Sequence, residues 1–363
     1  MTLVFLYGAL GDPVVMRALL GGDVAPQAAI LPGAHLVATG SWLGPRLAFG
    51  AGEVPGQVVA VTPDQSDRVQ YLAGVIGAEL GAVKLADGRA ATVLVPAGQA
   101  VGADDGWHAR WAATAARAIA DVMSFRGERP AGDVAVALPQ ILVRAASWAR
   151  ARDEATPMAV RTGFTDADVA SDAPRRPYLK YFTLEEQDLR FALFDGGRSA
   201  KVERAAFVSG DAVTVLPYDA ARDRVLVIEQ FRFGPFVRGD QAPWSLEPIA
   251  GRIDPGESPE TTARREAIEE AGLTLRDLLP VASYYPSPGA VSEYLFSYIG
   301  LADLPDSAAR IGGLVAEAED IRGVLLPFGA LIGMLDSGEA QNGPLILSAL
   351  WLAAHRDRLR ASA

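Results

Sequence analysis

The chain opens on a short apolar run, TLVFLY at residues 2–7, and comparable β-rich runs recur at 56–62 and 90–95. Runs of this length and composition predict strands. Trp107 to Phe125 carries apolar residues at helical spacing and predicts a helix. The turn-rich GERPAGD at 127–133 predicts a break, and Leu138 to Arg152 predicts a second helix. Residues 153–177 are polar and read as a connector, with Asp172, Pro174 and Pro177 near its end. Beyond it the texture changes. Strand-like runs fall at 179–184, 189–194, 201–208, 212–217 and 224–230, mostly separated by Gly, Asp or Pro. Asp219 to Asp223 (DAARD) reads as a hairpin turn. A loop at 234–243, a glutamate-rich helix, strands near 280–285 and 294–300, and helices over 327–336 and 342–360 complete the pattern. The fold class is α/β (α+β).

The glutamate-rich helix lies in GRIDPGESPETTARREAIEEAGL, residues 251–273. Ser258 suits the N-cap, Pro259 the first helical position and Gly272 the C-terminal stop. Glu266 and Glu270 then sit one turn apart on one face, and Glu269 lies at i+3 from Glu266. Like charges so spaced repel. A run of charge is ordinarily a solvated helix face. Here Gly251, Glu257, Arg265, Glu266, Glu269, Glu270 and Gly272 form one fixed pattern, which favours a divalent cation as the offsetting charge, since hard oxygen ligands suit Mg²⁺. Arg265 can hold the carboxylates by charge-assisted hydrogen bonds.

At 363 residues the chain has room for about two domains. Half its residues are apolar, enough for sizeable cores. A net charge of −11 argues against a nucleic-acid-binding surface, though arginines and a metal can still receive an anionic substrate. With no cysteines, disulfides, thiolate zinc sites and cysteine nucleophiles are excluded together. His35, His108 and His355 have no metal-ligand spacing and read as ordinary residues. No apolar run reaches the ~18 residues of a membrane helix, and the start lacks a basic leader region. The expectation is a cytoplasmic protein.

The 251–273 box is similar to the signature of the Nudix hydrolases, and the resemblance extends over about 175–360. It implies an α/β/α sandwich around a mixed sheet. Pro288, fifteen residues beyond Leu273 in Ser287-Pro288-Gly289, resembles the ADP-ribose pyrophosphatase branch. The resemblance implies Mg²⁺, with Mn²⁺ as the alternative, held by Glu266, Glu270, Glu319 and the Ala250 carbonyl, with Glu269 ligating or supporting. It makes Glu317 the general base on an acidic loop and assigns Arg265 to the catalytic set. Tyr181 would stack on adenine, Arg204 and Arg232 would grip the diphosphate and adenosine end, and Glu247 and Pro288 would contact substrate. The stretch YFTLEEQDLRFALFDGG resembles strands that cross to a second subunit, implying a homodimer. Hydrolysis of another nucleoside diphosphate sugar, or non-catalytic sensing of ADP-ribose-like ligands, stands as the alternative.

Tyr7-Gly8-Ala9-Leu10 resembles the opening of gamma-glutamylcyclotransferase-like domains, which implies a small α/β barrel over about 2–125. Ala9 replaces the usual Ser or Thr, and Tyr71-Leu72-Ala73-Gly74 lacks the family's catalytic glutamate, with Glu79 in uncertain register. The reading is a fold kept without cyclotransfer. The expected domains are 1–130, a helical connector 131–174, and a hydrolase domain 175–363.

Overall fold

A computed structural model describes residues 2–22, 24–96, 106–313 and 319–362. The chain divides into two compact units, Met1–Ser209 and Gly210–Ala363. The first contains β1 (Thr2–Leu6), α1 (Pro13–Leu20), β2 (Gln27–Val37), β3 (Arg46–Val61), α2 (Pro63–Ile76), β4 (Glu79–Lys84), β5 (Ala90–Val95), α3 (Trp107–Ser124), α4 (Ala131–Asp153), β6 (Val169–Ser171), β7 (Arg175–Leu179), β8 (Thr183–Phe191) and β9 (Val202–Val208). The second contains β10 (Ala212–Asp219), β11 (Arg224–Phe231), α5 (Phe233–Arg238), β12 (Trp244–Glu247), β13 (Ile249–Arg252), α6 (Pro259–Ala271), β14 (Asp277–Tyr284), β15 (Leu295–Leu301), β16 (Ile311–Gly312), β17 (Ile321–Pro327), α7 (Phe328–Ser337) and α8 (Gly343–Ala361).

In the first unit, five strands in the order β2-β3-β1-β5-β4 form a mixed sheet that curls into a half-barrel. Only the β1–β5 pairing is parallel. The opening apolar run is buried on both faces. Val4 and Leu6 join a core with α1 to α4, whereas Phe5 and Tyr7 face an inner cluster with Leu31, Leu47, Val58 and Val93. Each such side chain, fully buried, contributes about 1.5–3 kcal/mol. A separate antiparallel sheet pairs β8 with β6, β7 and β9.

The second unit is a three-layer sandwich. Its mixed sheet runs β14-β15-β10-β11-β17-β16, with β13 on β10 and β12 on β11. Val213, Val215, Leu226 and Ile228 pack with Ala263 and Ala267 of α6. Leu216, Tyr218, Val225 and Val227 pack on the other face with Leu331, Leu345 and Leu352 of α7 and α8. Two apolar faces on one strand explain why β10 and β11 read as continuous apolar runs rather than as alternation.

Several expected boundaries change. The break at 127–133 ends sooner, because Pro130 occupies an N-cap and α4 begins at Ala131. Pro139 lies inside α4 without stopping it. Val134, Ala137, Ile141 and Ala145 give that helix a buried face in the first unit's core, so much of the segment read as a connector is core helix. The runs 179–184 and 189–194 are displaced: β7 ends at Leu179 and β8 continues from Thr183 to Phe191 through Glu185 to Asp188. Partial burial of those polar residues supports the longer strand. The loop at 234–243 contains the short helix α5. Among the described residues no helix is long and apolar enough to cross a membrane.

Candidate functional site

Helix α6 is set by local signals. Ser258 Oγ accepts the Thr261 N–H at 3.1 Å, Pro259 takes the first turn, and Gly272 closes the helix at φ 62°. Its buried row is small, Thr262, Ala263, Ala267 and Ala271, which lets the helix lie close to the sheet. Glu270 belongs to the same row and is only 5 % exposed. Its Oε2 accepts the Ala250 N–H at 3.3 Å, from β13, which pairs with β10. Glu266 approaches Gly251 so closely that a Cβ there would stand 1.9 Å from its Oε1. Glycine at this position is therefore a steric requirement of the carboxylate.

Arg265 organises the exposed side of this patch. Its Nη1 donates to Glu266 at 2.8 Å and to Glu269 at 2.9 Å, and its Nη2 donates to Glu257 at 3.1 Å. Thr262 Oγ1 in turn donates to Glu257 at 2.7 Å. One guanidinium thus serves three carboxylates. Burial pushes the Glu266 carboxyl up to about 7, against the pull of Arg265. Burial and then the neighbouring Glu266 push Glu270 up to about 8. The charge of Glu319 adds to the rise at both.

Among the described residues, no group of three or more His, Asp or Glu side chains already stands in position to hold a metal ion. The donor set nevertheless fits a hard divalent cation. Buried Glu270 and half-buried Glu266 lie on one helix face and both feel the charge of Glu319, while the Arg265 that reaches Glu266 is shared with Glu257 and Glu269. A cation at Glu266 and Glu270 would offset the carboxylate repulsion that adds to burial at both.

A second pairing lies in the same unit. Arg232 Nε donates to Glu247 Oε1 at 3.0 Å and Nη2 donates to Oε2 at 2.7 Å. Glu247 is 5 % exposed, on β12 beside β11. The two residues expected at the substrate thus fix one another's orientation. Pro288 stands at the second position of an exposed turn, in which the Ala290 N–H donates to the Ser287 carbonyl at 3.0 Å. Glu317 lies outside the described residues. Tyr181 and Arg204 belong to the first unit: Tyr181 in the exposed turn between β7 and β8, Arg204 on β9 opposite Gln187.

Two participants escaped the sequence reading. Glu257 was part of the fixed pattern but had no role; it is the anchor of Arg265, and its spacing to Thr262 was the available signal. Glu293 is held above the usual carboxylate range, chiefly by burial, with Arg252 and Arg232 opposing. Its position five residues after Pro288 offered only a loop charge to sequence analysis.

The first unit has a cavity of about 790 Å³ lined by Tyr7, Gly8, Asp12, Gln57, Trp107 and His108, among others. Asp12 caps α1 by accepting the Val14 N–H at 2.9 Å and meets His108 Nδ1 at 3.2 Å.

Comparison with known proteins bears on the second unit and the strands before it. The NUDIX domain model matches residues 208–347. The chain is 38 % identical over 197 residues to an ADP-ribose pyrophosphatase of Escherichia coli (strain K12), spanning 54 % of this chain and 93 % of that protein. Against the ADP-ribose pyrophosphatase of Haemophilus influenzae it is 32 % identical over 201 residues, 55 % and 92 % of the two chains. A GDP-mannose pyrophosphatase of Escherichia coli O1:K1 / APEC is 34 % identical over 167 residues, 46 % and 85 %. The capped helix, its carboxylate patch on a mixed sheet and this extent of likeness have one meaning: the chain belongs to the Nudix family and is a Nudix hydrolase.

Proposed function

We propose that the protein hydrolyses the diphosphate of ADP-ribose to AMP and ribose 5-phosphate, with Mg²⁺ or Mn²⁺ as cofactor. The observation that carries this reading is the Glu266–Glu270 pair on one face of α6, Glu270 buried and Glu266 half-buried, with Arg265 shared among Glu257, Glu266 and Glu269. The likeness to ADP-ribose pyrophosphatases supports the substrate. When bound, divalent cations neutralise phosphate charge and acidify a water.

The chain's own residues supply the rest. Glu266, Glu270, Glu319 and the Ala250 carbonyl would hold the cations, and Arg265 would fix Glu266 and Glu269 in the required rotamers. Arg232, steadied by Glu247, and Arg204 would grip phosphate oxygens. Tyr181 would stack on adenine, and Pro288 would shape the loop against the substrate. Glu317 would accept the proton of the attacking water as a new P–O bond forms and the bridging P–O bond breaks. From the same resemblance we infer a hydrolase domain over 175–363 acting as a homodimer, and an N-terminal cyclotransferase-like domain without cyclotransfer. The second inference is supported by the cavity: its lining carboxylate, Asp12, is committed to a helix cap and to His108.

The test is AMP release from ADP-ribose in Mg²⁺. A panel including GDP-mannose decides the second reading, which the GDP-mannose pyrophosphatase likeness favours. Faster turnover of GDP-mannose would replace ADP-ribose as the substrate.

A further inference from the structure

The first unit holds a chamber that the proposed hydrolysis leaves unused. It is the cavity of about 790 Å³, a volume within the range of small-molecule sites. A smaller cavity of about 140 Å³ shares Gly11 and Gln57 with it. The walls are largely apolar: Ile30, Pro45 and Pro55 line the larger space, Met16, Val24 and Pro26 the smaller. Trp107 is a fixed part of the larger wall, because its Nε1 donates to the Trp42 carbonyl at 3.1 Å.

Most polar side chains at this wall are already engaged. The Tyr7 hydroxyl donates to the Leu94 carbonyl at 3.0 Å and accepts the Leu47 N–H at 3.2 Å. Asp12 Oδ1 accepts the Val14 and Val15 N–H groups, and its Oδ2 meets His108 at 3.2 Å. Gln57 differs. Its backbone is held in the sheet opposite Leu6 and Ala28. Its side-chain amide, half-buried where the two cavities meet, has no hydrogen-bond partner among the described residues.

A primary amide presents donors and an acceptor side by side. Charge then narrows what it can receive. Among the described residues no Lys or Arg lines the larger cavity, and Arg17 borders only the smaller one. An anion entering the larger space would lose its hydration with no fixed cation to offset the loss. A cation would meet a carboxylate already shared between a helix cap and His108. A neutral ring meets neither obstacle, and indole and proline walls suit its flat faces. We propose that this chamber binds a neutral aromatic small molecule carrying a carboxamide or cyclic-amide edge, and that Gln57 reads that edge by a paired hydrogen bond. The site lies wholly within the first unit and stands apart from the hydrolase reading. It gives that unit a ligand without cyclotransfer.

The test is calorimetric titration of the full chain with three probes of one size: benzamide, benzoate and benzylamine. Benzamide is expected to bind saturably, with each charged probe at least about tenfold weaker. Gln57→Leu keeps an apolar wall and removes the amide; it should weaken benzamide about tenfold. Ala28 is exposed on β2 and directly opposite Gln57, so Ala28→Phe fills the chamber beside the amide without entering the core. It should abolish benzamide binding and leave the melting temperature within about 2 °C. No saturable benzamide binding at millimolar concentration, or equal binding by Gln57→Leu, overturns the proposal. So does benzoate or benzylamine binding as tightly as benzamide, which would make the chamber a site for a charged ligand. Should Gln57→Leu not fold, Ala28→Phe decides alone, and undiminished benzamide binding by it overturns the site.

Discussion

At the scale of single residues, Glu270 separates stability from function. It is a buried carboxylate raised by burial and by Glu266. Glu270→Gln should lower kcat by about 10²–10³, the several kcal/mol of a lost metal contact. In metal-free protein near pH 9 the same change should raise the melting temperature by about 2–4 °C, because a buried charge is gone. Opposite signs in the two measurements are the signature of a side chain retained for chemistry; melting and steady-state kinetics on one preparation check it. Gly251→Ala should also cost about 10²-fold in activity, since the added Cβ would collide with Glu266 Oε1, 1.9 Å away. Circular dichroism should show its fold intact. Glu266, Glu269 and Glu270 were legible as a chemical patch because their spacing is local. Glu293 was not, because its burial beside Arg232 and Arg252 depends on a loop folding back.

At the scale of elements, α6 was readable from end to end: Ser258, Pro259 and Gly272 are cap signals acting within one turn. Ser258→Ala should cost about 1 kcal/mol in denaturant unfolding. The Asp12-Pro13 start of α1 carried the same kind of signal, yet only the structure brought it out. Strand β8 was split in two because polar Glu185 to Asp188 interrupt its pattern, and only pairing with β7 and β9 makes them strand. The β10–β11 hairpin predicts an acid limit. Arg356 above all holds the Asp223 carboxyl below its usual 3.8, with help from the Tyr218 hydroxyl. At Asp219 burial works upward, but the Arg222 and Leu304 N–H groups prevail and the carboxyl is also depressed from 3.8. For depressed groups the stabilisation is present above 3.8 and is lost as pH falls through the lower folded values. Asp223→Asn should therefore flatten the fall in melting temperature below about pH 4.

At the scale of the whole molecule, the first compact unit contains Tyr181 and Arg204 and the second contains the α6 carboxylates, Arg232 and Glu247. No periodicity could have revealed that distribution; only the family resemblance joined them. Likewise, the buried network of the first unit involves side chains as far apart in sequence as Asp121 and Glu185. Asp121→Asn would take from Arg117 its Asp121 ion pair and leave Arg144 and Arg176 with Glu185 alone among these anions, and should cost about 3–5 kcal/mol in thermal or denaturant unfolding. Arg176→Gln, which orphans no anion, should cost less.

On the proposed function, the acidic face of α6 holds divalent cations against a diphosphate. Calorimetric titration of Mg²⁺ and Mn²⁺ into wild-type protein and into Glu266→Gln and Glu270→Gln, with and without nucleotide, tests it most directly. Saturable uptake by the wild type that either substitution weakens by about tenfold or more is the predicted result. No uptake by the wild type, or equal uptake by all three, would contradict it.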